Sequence, residues 1–131
     1  MTIETKKIVF IDDDRWLLDL YSEKLKLEGY VVFGASDGKS GYELIEKYRP
    51  DLVVSDVVMP NGDGYDLLKK IRASDYLSTT KIIHLTNLAN EQDEEQLRQL
   101  GSDGYLVKAD FTPTQFVEKL RSLLDELEKN K

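Results

Sequence analysis

The sequence predicts an α/β domain built on a doubly wound, five-stranded parallel sheet with five helices on its two faces, and three observations carry that prediction. Short apolar runs recur along the chain, each is followed by a segment of helical periodicity, and the runs do not alternate polar with apolar residues. Runs this short, rich in β-branched and aromatic residues, are strands and not helices. Their continuous apolarity marks strands buried on both faces, as in a parallel sheet between helical layers. Right-handed crossovers clothe both faces of such a sheet only if the winding reverses once. The functional crevice is then expected at the carboxyl ends of the strands, beside that reversal.

Taken in order, the strands are placed at Ile8-Val9-Phe10-Ile11, Val31-Val32-Phe33, Leu52-Val53-Val54, Ile82-Ile83-His84-Leu85 and Tyr105-Leu106-Val107. Asp14 is expected to cap the first helix, with Trp16 in its first turn and Gly29 as its left-handed stop. Gly41, Leu44, Ile45 and Tyr48 fall at i, i+3, i+4 and i+7, and Gly64, Leu67, Leu68 and Ile71 repeat the spacing, so both segments are amphipathic helices. The fourth helix, about 91–100, has only Leu97 and Leu100 as apolar residues and ends at Gly101. The last combines a Thr112/Gln115 capping box, Pro113 at the first helical position and a stripe of Phe116, Leu120, Leu123, Leu124 and Leu127 running to about residue 128.

Composition narrows the function. With 131 residues, 40% hydrophobic and 33% charged, the chain is expected to be a single globular domain, 1–131, with a core of about 6–128. Lysine and arginine number 18 against 25 acidic residues, a net charge of −7 that argues against direct nucleic-acid binding. The absence of cysteine excludes disulfides, thiolate metal sites and thiol nucleophiles. The N-terminus carries no apolar targeting segment, so the expected location is cytoplasmic, with no membrane contact.

Chemistry gathers at the predicted strand ends. Strand one runs into Asp12-Asp13-Asp14, strand three into Ser55-Asp56, strand four into Thr86 and strand five into Lys108. Carboxylates from two adjacent strands repel one another in a partly desolvated crevice, so a cation or bound protons must be present. An all-oxygen set suits a hard ion such as Mg2+. A lysine and a hydroxyl opposite suit a phosphoryl group, whose oxygens they and the metal can share.

On these residues the chain resembles the response-regulator receiver domain of two-component signal transduction, over essentially its whole length and as the stand-alone type with no effector domain. The pattern comprises Asp12-Asp13, Asp56 within Asp56-Val57-Val58-Met59-Pro60-Asn61-Gly62-Asp63-Gly64, Thr86, Tyr105 and Lys108, in order and on the expected strands. The resemblance implies a flavodoxin-like sheet of order 2-1-3-4-5. It implies that Asp56 takes a phosphoryl group from a phosphohistidine on a sensor histidine kinase or phosphotransfer protein. Mg2+ would be held by Asp12, Asp13, Asp56 and the backbone carbonyl of Val58, with Lys108 and Thr86 contacting the phosphoryl oxygens. Thr86 and Tyr105 would then switch the surface of helix four, strand five and helix five for a downstream protein target. A phosphorylation-dependent homodimer is one form such output can take. No separate turnover substrate is expected, so the chain is not read as an enzyme beyond accepting and losing its own phosphoryl group.

Two other readings compete with this one. Asp12-x-Asp14 mimics the nucleophile motif of haloacid-dehalogenase phosphatases, but Trp16 stands where that motif has Thr or Val. A receiver-like module that binds partners without phosphorylation conflicts with the complete set Asp12, Asp13, Asp56, Thr86 and Lys108. His84 is expected to be structural, since no carboxylate is placed for it, and Glu91-Gln92-Asp93-Glu94-Glu95 to complement a helix N-terminus facing solvent. Ala109 replaces the proline common after the lysine, so the Lys108–Ala109 peptide is expected to be trans or, if cis, strained. Asn87 replaces the usual small residue after the threonine. By the resemblance, Val58 and Leu88 flank the approach to Asp56, and since neither side chain can orient a hydrolytic water, a long-lived phosphorylated state is expected.

Overall fold

A computed structural model describes residues 6–59, 63–87 and 89–129. Strands and helices alternate throughout: β1 (Lys7–Ile11), α1 (Arg15–Leu27), β2 (Val31–Ala35), α2 (Gly38–Tyr48), β3 (Leu52–Asp56), α3 (Gly64–Ala73), β4 (Lys81–Thr86), α4 (Glu91–Gln99), β5 (Gly104–Val107) and α5 (Pro113–Lys129). All pairings are parallel, in the order β2-β1-β3-β4-β5. The winding therefore reverses at β1, whose neighbours are β2 and β3, and the registers Ile11↔Ser55 and Asp56↔Leu85 bring the ends of β1, β3 and β4 level.

The pleat divides the apolar residues between two cores. Ile8, Phe10, Leu52, Val54, Ile83 and Leu85 pack with Leu18, Tyr21 and Leu25 of α1 and Phe116, Val117, Leu120 and Leu124 of α5. Val9, Ile11, Val53 and Ile82 pack on the other face with Ile45 of α2, Leu67, Leu68 and Ile71 of α3 and Leu97 of α4. Each large side chain so buried stabilises the fold by about 1.5–3 kcal/mol. Tyr21 and Phe116, with ring centroids 4.5 Å apart, tie α1 to α5.

The expected caps form. The Asp14 carboxylate accepts from the Trp16 and Leu17 amides, and Thr112 and Gln115 exchange side-chain and backbone hydrogen bonds. Gly29 and Gly101 have φ of 102° and 105°, which a side chain resists. Burial on both faces holds for β1 beyond Lys7, for β3 and for the middle of β4. The outer strands β2 and β5 are only partly covered, because each has a neighbour on one side alone. Two features escape any periodicity: Leu77, in the α3–β4 connection, is 1% exposed, and Arg49 ends α2 at φ 45° with its guanidinium over the Tyr76 ring. Among the described residues no helix is long and apolar enough to cross a membrane.

Candidate functional site

Parallel strands point their carboxyl ends the same way, so residues that directly follow β1, β3, β4 and β5 share one edge of the sheet. Asp12 follows β1 and is wholly buried, its amide donating to Ala35 O. Asp56 ends β3 at 5% exposure, Thr86 ends β4, and Lys108 follows β5 at 8% exposure. Asp13, beside Asp12, faces solvent. Candidate ligand oxygens of Asp12, Asp13 and Asp56 lie within 4.8 Å of one another. Lys108 Nζ stands 2.8 Å from Asp12 Oδ2 and 3.3 Å from Asp56 Oδ1.

One lysine thus serves a cluster of three carboxylates and pairs directly with two of them. Burial and the neighbouring Asp12 push Asp56 up to about 7, against the pull of Lys108. Burial alone would lower Lys108, but Asp12 and Asp56 outweigh it and raise the ammonium above its ordinary value. Asp12 Oδ1 accepts from the Asp14 amide, whereas Asp12 Oδ2 is buried with no aligned hydrogen bond despite its ion pair. An all-oxygen cluster with surplus negative charge, in which one lysine serves both buried carboxylates, fits a hard divalent cation. An open pocket above it is lined by Asp13, Asp56, Val58, Thr86 and Asn87. Val58 is 79% exposed.

The structure therefore gathers Asp12, Asp13, Asp56, Val58, Thr86 and Lys108, and it separates Tyr105. That residue lines a different pocket, between α4 and β5, with Glu94, Arg98, Ser102, Asp103 and Gly104, and its buried hydroxyl has no hydrogen-bond partner. No cis peptide occurs among the described residues, so Lys108–Ala109 takes the trans form, one of the two left open by the sequence, and Lys108–Asp110 forms a 3-10 turn. Pro60-Asn61-Gly62 of the motif, and Leu88 with its expected effect on hydrolysis, lie outside the described residues.

Support for the site comes from residues the strand-end pattern could not supply. Gly64 N donates to Val57 O at 2.7 Å, and a Cβ on Gly64 would lie 2.6 Å from Asp56 O, so only glycine lets α3 start this close to the acceptor. His84 is fully buried and structural, as expected: its Nε2 faces Gly64 O at 3.2 Å and its Nδ1 faces Ser102 Oγ at 2.8 Å. Ser102 Oγ also lies 3.0 Å from Gly104 O. Burial pushes the imidazole down to about 4, leaving it neutral. The acidic run at α4 departs in part from its expected solvent-facing role, because Asp93 is half-buried and accepts from the Tyr65 hydroxyl.

Comparison with known proteins agrees with this geometry. The sequence model of the response regulator receiver domain matches residues 8–121. The chain is 37% identical to the Escherichia coli transcriptional regulatory protein CpxR, over 90% of this chain and 49% of that protein. It is 34% identical to the DNA-binding dual master transcriptional regulator RpaA of Synechocystis, over 90% of this chain and 48% of that one. The chain spans about half the length of the curated relatives it matches. A CheY-like receiver domain protein from Methanospirillum hungatei superposes with a TM-score of 0.86 at 30% identity, covering 98% of this chain and 100% of that one. The chemotaxis response regulator CheY4 of Vibrio cholerae gives 0.84 at 28% identity, covering 92% and 99%. Asp14 is occupied as a helix cap, which together with these matches displaces the phosphatase reading. The chain belongs to the response regulator receiver domain family.

Proposed function

We propose that this receiver domain accepts a phosphoryl group on Asp56 in a histidine-aspartate phosphorelay. The observation that carries the reading is the pairing of Lys108 with both Asp12 and Asp56 beneath a pocket that Thr86 also lines. A carboxylate oxygen of Asp56 attacks the phosphorus of a phosphohistidine, the P–N bond breaks, and the imidazole nitrogen leaves with the electron pair and is protonated. The product is an acyl phosphate. Nucleophilic attack needs Asp56 ionised, and Lys108 opposes the burial that would protonate it. Asp12, Asp13, Asp56 and the Val58 carbonyl would hold Mg2+, which supplies the positive charge that three carboxylates and incoming phosphoryl oxygens together require. Lys108 then pairs with a phosphoryl oxygen, and the Thr86 hydroxyl donates to another. The donor is a sensor histidine kinase or phosphotransfer protein, and output passes by protein contact through α4, β5 and α5.

The test is mass spectrometry after incubation with Mg2+ and a small-molecule phosphodonor. One phosphoryl group should be added at Asp56, none in Asp56→Asn, and almost none in chelator. Modification that survives in the variant or in chelator overturns the mechanism.

A further inference from the structure

Helix α4 is held unevenly. Leu97 is its only buried residue, and at its C-terminal end Ser102 N donates to Leu97 O while Arg72 donates through Nε and a terminal nitrogen to Gly101 O. At its N-terminal end, Asn90 caps the helix from within its own segment. Among the described residues, the first turn of α4 makes one hydrogen bond to the rest of the domain, from Tyr65 Oη to Asp93 Oδ1 at 2.5 Å.

The two partners of that bond sit on different moving parts. Tyr65 follows Gly64, whose amide is bonded to Val57 O and whose carbonyl meets His84, so the donor is fixed to the frame that carries Asp56. Asp93 belongs to the helix that follows Thr86, seven positions along the chain. Any displacement of Thr86 toward a phosphoryl group on Asp56 is passed along the chain to the start of α4 while Tyr65 stays with its own frame, so the Tyr65–Asp93 bond is the contact across which the two parts would shift. With α4 in this closed position, Tyr105 shares a pocket with Glu94 and Arg98, and its hydroxyl is buried without a partner. Burying an unsatisfied hydroxyl disfavours the closed state, and a charge-assisted bond at the helix start offsets that cost. A two-position element requires such a balance.

We infer that the Tyr65–Asp93 hydrogen bond is an autoinhibitory latch that holds the N-terminal end of α4 closed until phosphorylation releases it, with the C-terminal end pinned by Arg72 as the pivot. The inference rests on the phospho-acceptor reading of Asp56. Neither Tyr65 nor Asp93 lines the acceptor pocket, so both act by positioning α4.

The experiment titrates beryllofluoride, a phosphoryl mimic, in the presence of Mg2+ by calorimetry, and measures amide hydrogen exchange in the free protein. Tyr65→Phe keeps the ring and removes the hydroxyl. It should tighten the beryllofluoride midpoint about tenfold, the size of one charge-assisted hydrogen bond, and speed exchange across Glu91–Gln99 while leaving α5 unchanged. Asp93→Ala should match it, Asp93→Asn, which retains an acceptor, should fall between, and Tyr65→Phe/Asp93→Ala should add nothing to either single variant. Wild-type protein that takes up no beryllofluoride overturns the phospho-acceptor reading. Wild-type uptake with Tyr65→Phe unchanged in midpoint and in α4 exchange, or additive single variants, overturns the latch alone.

Discussion

At the amino ends of the strands, Arg72 donates five hydrogen bonds: two to Gly101 O, one each to Ser78 O and Thr80 O, and one to Asp103 Oδ2, which also accepts from Ile82 N. One cation there meets one carboxylate and a set of carbonyls that need donors. At the carboxyl ends, Lys108 meets two buried carboxylates with a third alongside, and one buried oxygen goes without an aligned donor. The same sheet thus carries a satisfied end and a frustrated one. Stability is concentrated where no chemistry is proposed, and the frustrated end keeps a standing demand for positive charge, which a cation or a bound proton can meet.

That contrast can be broken by three measurements. The largest effect should follow from Arg72→Ala, which strips donors from three carbonyls and leaves Asp103 without its cation. We expect a loss of about 4 kcal/mol in urea unfolding at neutral pH. A loss under about 1 kcal/mol would show that water replaces the guanidinium and that the amino end is not the anchor.

The next concerns pH in metal-free protein. Burial lowers His84 from 6.5 to about 4. The unfolded chain therefore binds more protons between those values, and the stability His84 contributes is full above about pH 6.5 and drains away as pH falls toward 4. Asp56 runs the other way. Raised from 3.8 to about 7, it contributes stability that is present below 3.8 and lost as pH rises through 7. The two slopes oppose each other in wild type. In Asp56→Asn the histidine slope should stand alone, with about 3 kcal/mol lost between pH 7 and pH 4, and a further His84→Gln change should flatten it. Equal slopes in the two variants would mean that His84 titrates as it does in water.

The smallest effect is the gain from Asp56→Asn itself at pH 8 in chelator. Removing one of the crowded carboxylates while Lys108 keeps Asp12 should stabilise the fold by about 1–2 kcal/mol. An unchanged or lowered urea midpoint would mean that Lys108 already balances the cluster, and the carboxyl end would no longer count as frustrated.

How far the sequence could be read follows the same division. Asp12, Asp56, Thr86 and Lys108 were legible because each follows an apolar run, Asp56 one residue later than the others, and parallel strands deliver such residues to one edge. Asp14 and the Thr112/Gln115 pair were legible because capping is a local pattern. Arg72 was not. Its acceptors are mostly main-chain carbonyls, which leave no mark in a sequence, and Gly101 O lies 29 positions away. The Tyr65–Asp93 bond crosses 28 positions and obeys no helical or strand period. Leu77 is buried in a connection, where periodicity has nothing to report. The thin stripe of α4 was informative: Leu97 is buried, Leu100 is 36% exposed, and the helix is anchored at few points.

Ser102 carries a single hydroxyl proton, and two acceptors compete for it. Gly64 O can only accept, so the one proton of the neutral His84 ring sits on Nε2, and Nδ1 turns a lone pair toward Ser102 Oγ. Gly104 O faces that same oxygen. When the proton serves the ring, the first carbonyl of β5 goes without it; when it serves β5, ring and hydroxyl meet lone pair to lone pair. The strand that carries Tyr105 and leads to Lys108 therefore begins on a hydroxyl whose one proton is claimed by two acceptors.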